Sequence, residues 1–186
     1  MVNSLIEKYD SAAVNYYEER YVHGGWELNH YMKDEADAFK FWQKHGELGK
    51  IISLGVGSGQ DIEILNNPAP ETFVGYDFSK GMLENARKKF PEYTFHLKDC
   101  KERIDDSCDI LVSMFGTPNY IGLSTLLEHY RRMKAKHAFF VFYAEWYDDG
   151  FGEYYHKYTL KELKNVLQSF KPIIEKLNDN YYIVKW

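Results

Sequence analysis

The stretch Ile51–Asp61, reading IISLGVGSGQD, constrains this chain more than any other. An apolar run, Ile51, Ile52 and Leu54, stops at Gly55, Gly57 and Gly59, and a polar segment then opens a helix. This is the pattern of a buried strand, a tight turn and a helix start. A turn built on alternate glycines lacks side chains where a ligand must approach the backbone closely.

The segments after it alternate. Strands are expected over 72–76, 93–97, 109–114 and 138–143, with Asp77 and Asp99 just beyond the first two. Ser79 is placed to N-cap a helix that Pro91 stops after Phe90, and a further helix is expected over 123–133. The run 138–143 is almost wholly apolar and suits a strand covered on both faces. Thr159 and Glu162 form a capping box for a helix to Phe170. Two last strands, 171–177 and 181–186, are joined at Asn178-Asp179-Asn180, residue types that tolerate positive φ. Residues 1–46 read as two helices, 4–17 and 27–45, broken at His23-Gly24-Gly25. The expectation is an α/β fold. It has a doubly wound, mostly parallel seven-stranded sheet, an antiparallel C-terminal hairpin strand and helices on both faces. Residues 1–46 form a helical N-terminal lid on a core of 47–186, within one domain of 186 residues.

In open parallel sheets ligands bind beyond the carboxyl ends of the strands. Asp77 lies about 20 residues past the glycine turn, the spacing at which an acid meets a ribose hydroxyl. A dinucleotide fingerprint would need glycine where Gln60 stands. A P-loop would need a lysine that is not there.

The ordered set LGVGSGQD, FVGYDFSKGMLENAR, HLKDC and CDILVSMFGTPNYI resembles the four successive motifs of the class I, Rossmann-like S-adenosylmethionine-dependent methyltransferases. The resemblance runs from about Lys50 to Tyr143, and the closing hairpin extends it to Trp186. It implies S-adenosylmethionine as cofactor and S-adenosylhomocysteine (SAH) as product. The glycine turn, with Gly55, Val56, Gly57, Gly59 and Asp61, would hold the cofactor's amino-acid end. Asp77 would meet the ribose, Met82 would flank the adenine and Asp99 would meet the adenine amine, with Phe78 and Cys100 also among the cofactor-binding residues. Met114 and Phe115 would close the site at the end of the fourth strand. The family usually carries an acid where this chain has Ser53, which leaves the methionine amino group to Asp61, backbone carbonyls or the N-terminal segment. YDSAAVNYYEERY and SMFGTPNYI look like small-molecule N- and O-methyltransferases, the glycine-type and sugar-amine enzymes among them. By that similarity Tyr16 would reach the cofactor, Tyr17 and Tyr21 would line the methyl-transfer centre, and Trp146 and Tyr147 would border the acceptor.

An amine acceptor must arrive deprotonated, and a hydroxyl needs a base within hydrogen-bond reach. His23, His30, Glu145 and His156 are the candidate bases, with His156 carried forward. Asn119 is a candidate for orienting the acceptor. No metal site is expected. A net charge of −5 gives no general pull toward nucleic acid or anionic lipid, and 16 tyrosines suit a flat or cationic small-molecule acceptor. The two cysteines are too few for a disulfide framework, no apolar run is long enough to span a bilayer, and the N-terminus is no signal peptide. The expectation is therefore a cytoplasmic monomer or homodimer, with neither nucleic acid nor membrane as partner. Two other readings stay open: a noncatalytic cofactor-binding or regulatory subunit, motivated by Ser53, and an NAD-dependent oxidoreductase on a related fold.

Overall fold

A computed structural model describes residues 2–16, 25–46, 49–146 and 154–186, with side chains from residue 5 onward and, in the second helix, from residue 32. Seven strands form one sheet: β1 (Ile51–Leu54), β2 (Phe73–Asp77), β3 (Thr94–Leu97), β4 (Ile110–Ser113), β5 (His137–Tyr143), β6 (Ile173–Leu177) and β7 (Tyr181–Lys185), in the order β3-β2-β1-β4-β5-β7-β6. The antiparallel hairpin is where the sequence puts it, with β7 antiparallel to both β5 and β6. Asn178 turns the chain at φ 49°, and its side-chain oxygen accepts the Asn180 N–H at 2.8 Å. Every residue of β1 and β4 is buried, whereas β3 and β6 are exposed at most positions, as edge strands are. No helix among the described residues is long and apolar enough to cross a membrane.

Two compact units divide the chain. The first is Met1–Gly46 with Val56–Asp99, and the second is Glu47–Gly55 with Cys100–Trp186. The N-terminal helices thus cluster with the β2–β3 half of the chain.

In the first unit lie α1 (Val2–Ala13), α2 (Gly25–His45), α3 (Gln60–Ile64) and α4 (Lys80–Lys89). The first helix stops four residues short of its expected end. Helix α4 starts as its sequence dictates: Ser79 is extended, its hydroxyl oxygen accepts the Met82 N–H, and Arg87, Lys88 and Lys89 lie in the last turn, where they suit the helix dipole. Leu83 and Ala86 are fully buried, and so is Leu5 of α1. Burying a leucine of that kind contributes about 2 kcal/mol. β2 and β3 run parallel from Val74↔Thr94 to Asp77↔Leu97.

The second unit holds β1, β4, β5, β7 and β6 with α5 (Thr117–Ile121), α6 (Leu123–Arg132) and α7 (Leu160–Leu167). Phe139, Phe140 and Phe142 of β5 are fully buried. The capping box at Thr159 and Glu162 is formed, and a short 3-10 turn completes the run to Phe170. Helix α5 departs from the expected loop at 116–122. Pro118 sits in its first turn, where a missing N–H costs nothing and φ is preset, so a start signal was present.

Candidate active site

Asp77 ends β2 and is 8% exposed. Its Oδ2 accepts the Gly57 N–H at 2.9 Å and its Oδ1 accepts the Ser79 N–H at 2.8 Å. The glycine turn is thus tied to the acid by backbone donors. Val56 N–H donates to the Tyr76 carbonyl at 3.0 Å, and Val56, 2% exposed, fills the space over Gly75. Burial pushes the Asp77 carboxyl up to about 6, the Ser79 and Gly57 N–H groups pull it down, and the charge of Asp10 pushes it up further. A carboxylate has about four lone-pair sites, so the backbone N–H groups of Gly57, Ser79 and Phe78 leave about one of them open.

The turn's glycines differ in what surrounds them. Gly57 has φ +54°, and a Cβ there would meet nothing within 4 Å. Gly59 has φ +92° and is packed under the Phe90 ring, 2.7 Å from where a Cβ would lie. In the second unit, a Cβ on Gly55 would lie 2.1 Å from Thr117 Oγ1. Open space over Gly57, whose own N–H the buried acid accepts, fits the close approach of a ligand to the backbone. Met82, 2% exposed, accepts a contact on its sulfur from Ser58 Oγ at 3.7 Å. Asp61, 5% exposed, lies in the first turn of α3. Phe78 is half-buried, with Tyr9 edge-on at 5.5 Å. Asp99 and Tyr16 are half-buried in the same unit.

The second unit holds the remaining expected site residues. Met114 and Cys100 are each 2% exposed, and the Cys100 carbonyl is 2.8 Å from His129 Nε2. Phe115 adopts φ +49° and the next residue, Gly116, φ +87°. A left-handed phenylalanine is strained backbone, held here by a Tyr181 ring 5.4 Å away, edge-on. Gly116 lets the Tyr143 ring approach to 2.7 Å of where a Cβ would be, and Tyr143 in turn contacts Tyr181 and Tyr155. This aromatic group closes the C-terminal ends of β4 and β5.

Asn119, read from the sequence as an acceptor-orienting group, has another job. It is 1% exposed, its Nδ2 donates to the Tyr143 and His156 carbonyls at 3.2 and 2.8 Å, and its Oδ1 accepts the Tyr143 N–H at 2.8 Å. Both amide protons are spent on backbone, so Asn119 stitches the segment at His156 to β5. The exposed His156 ring lies 4.3 Å from Tyr158. Trp146 is half-exposed and donates its indole N–H to the Asp179 carbonyl. Glu145 accepts from Tyr182 OH at 3.1 Å. Tyr17, Tyr21, His23 and Tyr147 lie outside the described residues, as does the side chain of His30.

A model of the family described as "Methyltransferase domain" matches residues 51–136. The trans-aconitate 2-methyltransferase of Variovorax paradoxus (strain S110) is 39% identical over 54 residues, 28% of this chain and 21% of that protein. The dTDP-3-amino-3,4,6-trideoxy-alpha-D-glucopyranose N,N-dimethyltransferase of Streptomyces venezuelae is 29% identical over 76 residues, 40% of this chain and 32% of that protein. The matched segment thus spans a third or less of either relative. Among solved structures, the DhpI–SAH complex superimposes with a TM-score of 0.76 at 14% identity, covering 100% of this chain and 95% of that one. Residues 51–136 thus match a model described as a methyltransferase domain, and the chain shares the Rossmann-like α/β fold of the DhpI–SAH complex.

Proposed function

We propose that this protein transfers a methyl group from S-adenosylmethionine to nitrogen or oxygen of a small molecule. The observation that carries the reading is Asp77, buried at the end of β2 and tied by backbone N–H groups to Ser79 and to Gly57, a glycine with open space where a side chain would stand. When bound, the cofactor supplies a methyl group on a sulfonium, already poised for in-line displacement. The chain's task is to bind and to align. Asp77 accepts from the ribose hydroxyls with Phe78 beside it, Asp99 and Cys100 receive the adenine amine, and Met82 packs on the adenine. The glycine turn with Asp61 takes the amino-acid end, and Tyr16, Met114 and Phe115 are further cofactor-binding residues in this reading. Alignment of acceptor and methyl group supplies roughly 7–11 kcal/mol in favourable cases. Tyr17 and Tyr21 border the transfer centre in this reading, and His156 is the base for a hydroxyl acceptor.

The two curated relatives act, by their names, on a small carboxylic acid and on an amino sugar nucleotide, which supports a small-molecule acceptor without choosing the atom. The two buried cysteines, neither of them in a disulfide, fit a reducing compartment, and the reading places a monomer or homodimer in the cytoplasm with neither nucleic acid nor membrane as partner. Ser53, fully buried where the family carries an acid, supports a second reading, a cofactor-binding subunit without turnover. Calorimetric titration with SAH tests the first claim: the expected result is saturable one-site binding, and no heat at high micromolar ligand overturns it. Methyl transfer to a panel of small amines, alcohols and carboxylic acids separates the enzyme from the silent binder.

A further inference from the structure

Asp10 lies in the last turn of α1, and its Oδ1 accepts two hydrogen bonds from the start of α4. Ser79 Oγ donates at 2.6 Å and Gly81 N–H at 3.0 Å. The Ser79 oxygen itself accepts the Met82 N–H at 3.1 Å, while the Ser79 N–H donates to Asp77 Oδ1. An N-cap serine needs no carboxylate of its own, since its hydroxyl proton is free to go to water. Here that proton goes to Asp10, so one serine joins two aspartates, one on the N-terminal helix and one at the end of β2.

Three further contacts fix α1 at the same place. Asn85 Nδ2 donates to the Ala13 carbonyl at 2.7 Å, Tyr9 stands edge-on to Phe78, and Gly81 has no Cβ because one would fall 2.9 Å from the Ala13 methyl. Both carboxylates lie at the N-terminal end of α4, where the helix dipole favours negative charge.

The geometry points to Asp10 as a positioning residue for the cofactor-binding acid, holding Asp77 through Ser79 and tying the N-terminal helix to it. This rests on Asp77 being the ribose acid. The charge of Asp10 also opposes ionisation of Asp77. The other charged groups on the packed elements are placed elsewhere or bonded otherwise. On α4, Lys80 pairs with Glu84 at 3.8 Å and both are exposed. On α1, Glu7 and Lys8 are exposed. Past β3, Lys98 gives its backbone N–H to the Asp77 carbonyl, and Asp99 follows it. Asp61 lies on α3.

Two variants separate charge from contact. Asp10→Asn keeps an acceptor oxygen and drops the charge, whereas Asp10→Ala drops both. Three readouts are taken on the full chain: SAH affinity between pH 5 and 8, the Asp77 carboxyl carbon by NMR titration without ligand, and hydrogen exchange along α1. In the wild type, affinity rises as pH rises through about 6, because the ionised carboxylate is the better acceptor. Asp10→Asn moves that midpoint, and the NMR midpoint of Asp77, to lower pH. Asp10→Ala weakens SAH binding about tenfold at pH 8 and speeds exchange in α1. An Asp77 midpoint unchanged in Asp10→Asn overturns the proposal, as does an Asp10→Ala variant with wild-type affinity and exchange. If SAH fails to bind even the wild type while the NMR midpoint still shifts, the cofactor reading falls and the coupling of Asp10 to Asp77 stands.

Discussion

Asp77 in the first unit and Asn119 in the second are both almost fully buried polar side chains gripped by backbone, and they differ in what is left over. Asn119 has spent both amide protons and its oxygen on main-chain partners, is neutral, and is 1% exposed. Such a saturated group costs little to bury and rivets two segments together. Asp77 accepts N–H bonds from Gly57, Ser79 and Phe78, carries a charge that burial opposes, and keeps about one lone-pair site beyond them. A buried polar group that the fold has not saturated is where binding capacity is held, at some expense of stability.

Two glycines of the turn, its first and its middle one, give the sharpest way to break that contrast. Gly55→Ala puts a methyl 2.1 Å from Thr117 Oγ1 and 2.6 Å from Thr117 Cβ, at φ +78°, and both the overlap and the left-handed backbone count against it. The expected loss is about 4 kcal/mol of unfolding free energy, read from urea denaturation. Gly57→Ala meets no neighbour, so its strain is that of a left-handed alanine, about 1–2 kcal/mol. Its methyl enters the space the cofactor needs, and SAH affinity falls by more than tenfold while most of the stability survives. Equal stability losses in the two variants would mean that Gly57 is packed, and the open space invoked here would not exist.

The same acid sets a pH dependence of opposite sign for stability and for binding. The folded-state value of Asp77 is raised from 3.8 to about 6, so between those values the folded protein holds more proton than the unfolded chain. Stability from this group is therefore greatest below about pH 4 and declines as pH rises through 6, by about 3 kcal/mol in all. Binding of SAH strengthens over the same window. Unfolding of wild type and Asp77→Asn at pH 5 and pH 7.5 isolates the effect: the wild type loses more stability than the variant on going to the higher pH. Parallel pH slopes would show that Asp77 is not the group responsible.

The cofactor half was legible because its signals are local. Gly55, Gly57 and Gly59 follow an apolar strand, an acid follows the next strand, and Ser79 caps the next helix, each readable from a few neighbours. The buried central strand followed from the apolar run of β5, and the antiparallel close of the sheet from the Asn-Asp-Asn hairpin turn. Asp10 was not legible, because its partners Ser79 and Gly81 lie 69 and 71 residues away and nothing in YDSAA marks that pairing. The role of Asn119 was misread for a related reason: a buried amide and a pocket-facing amide look alike until the strand it stitches is in place. Helix α5 falls in the gap between the expected strand 109–114 and helix 123–133: Pro118 is a helix-start signal, but Gly116 and Pro118 are equally turn residues.

Gln60 tests which of the two kinds of buried polar group it is. It opens α3, is 7% exposed, and its Nε2 has no hydrogen-bond partner among the described residues. It also borders a cavity of about 530 Å³ in the first unit, with Ala13, Ser58, Asn85 and Lys88 around it, a set that includes neither Gly57 nor Asp77. An orphaned amide donor in the interior costs about 1–3 kcal/mol relative to one that is paired. Gln60→Met keeps the length of the side chain and removes the orphan, so unfolding free energy should rise by up to about 1 kcal/mol, with SAH affinity unchanged. A loss of stability instead would mean that Nε2 is satisfied in solution by water held in that cavity. Gln60 would then belong with Asn119, a saturated rivet, and the first unit would hold its reserve at Asp77.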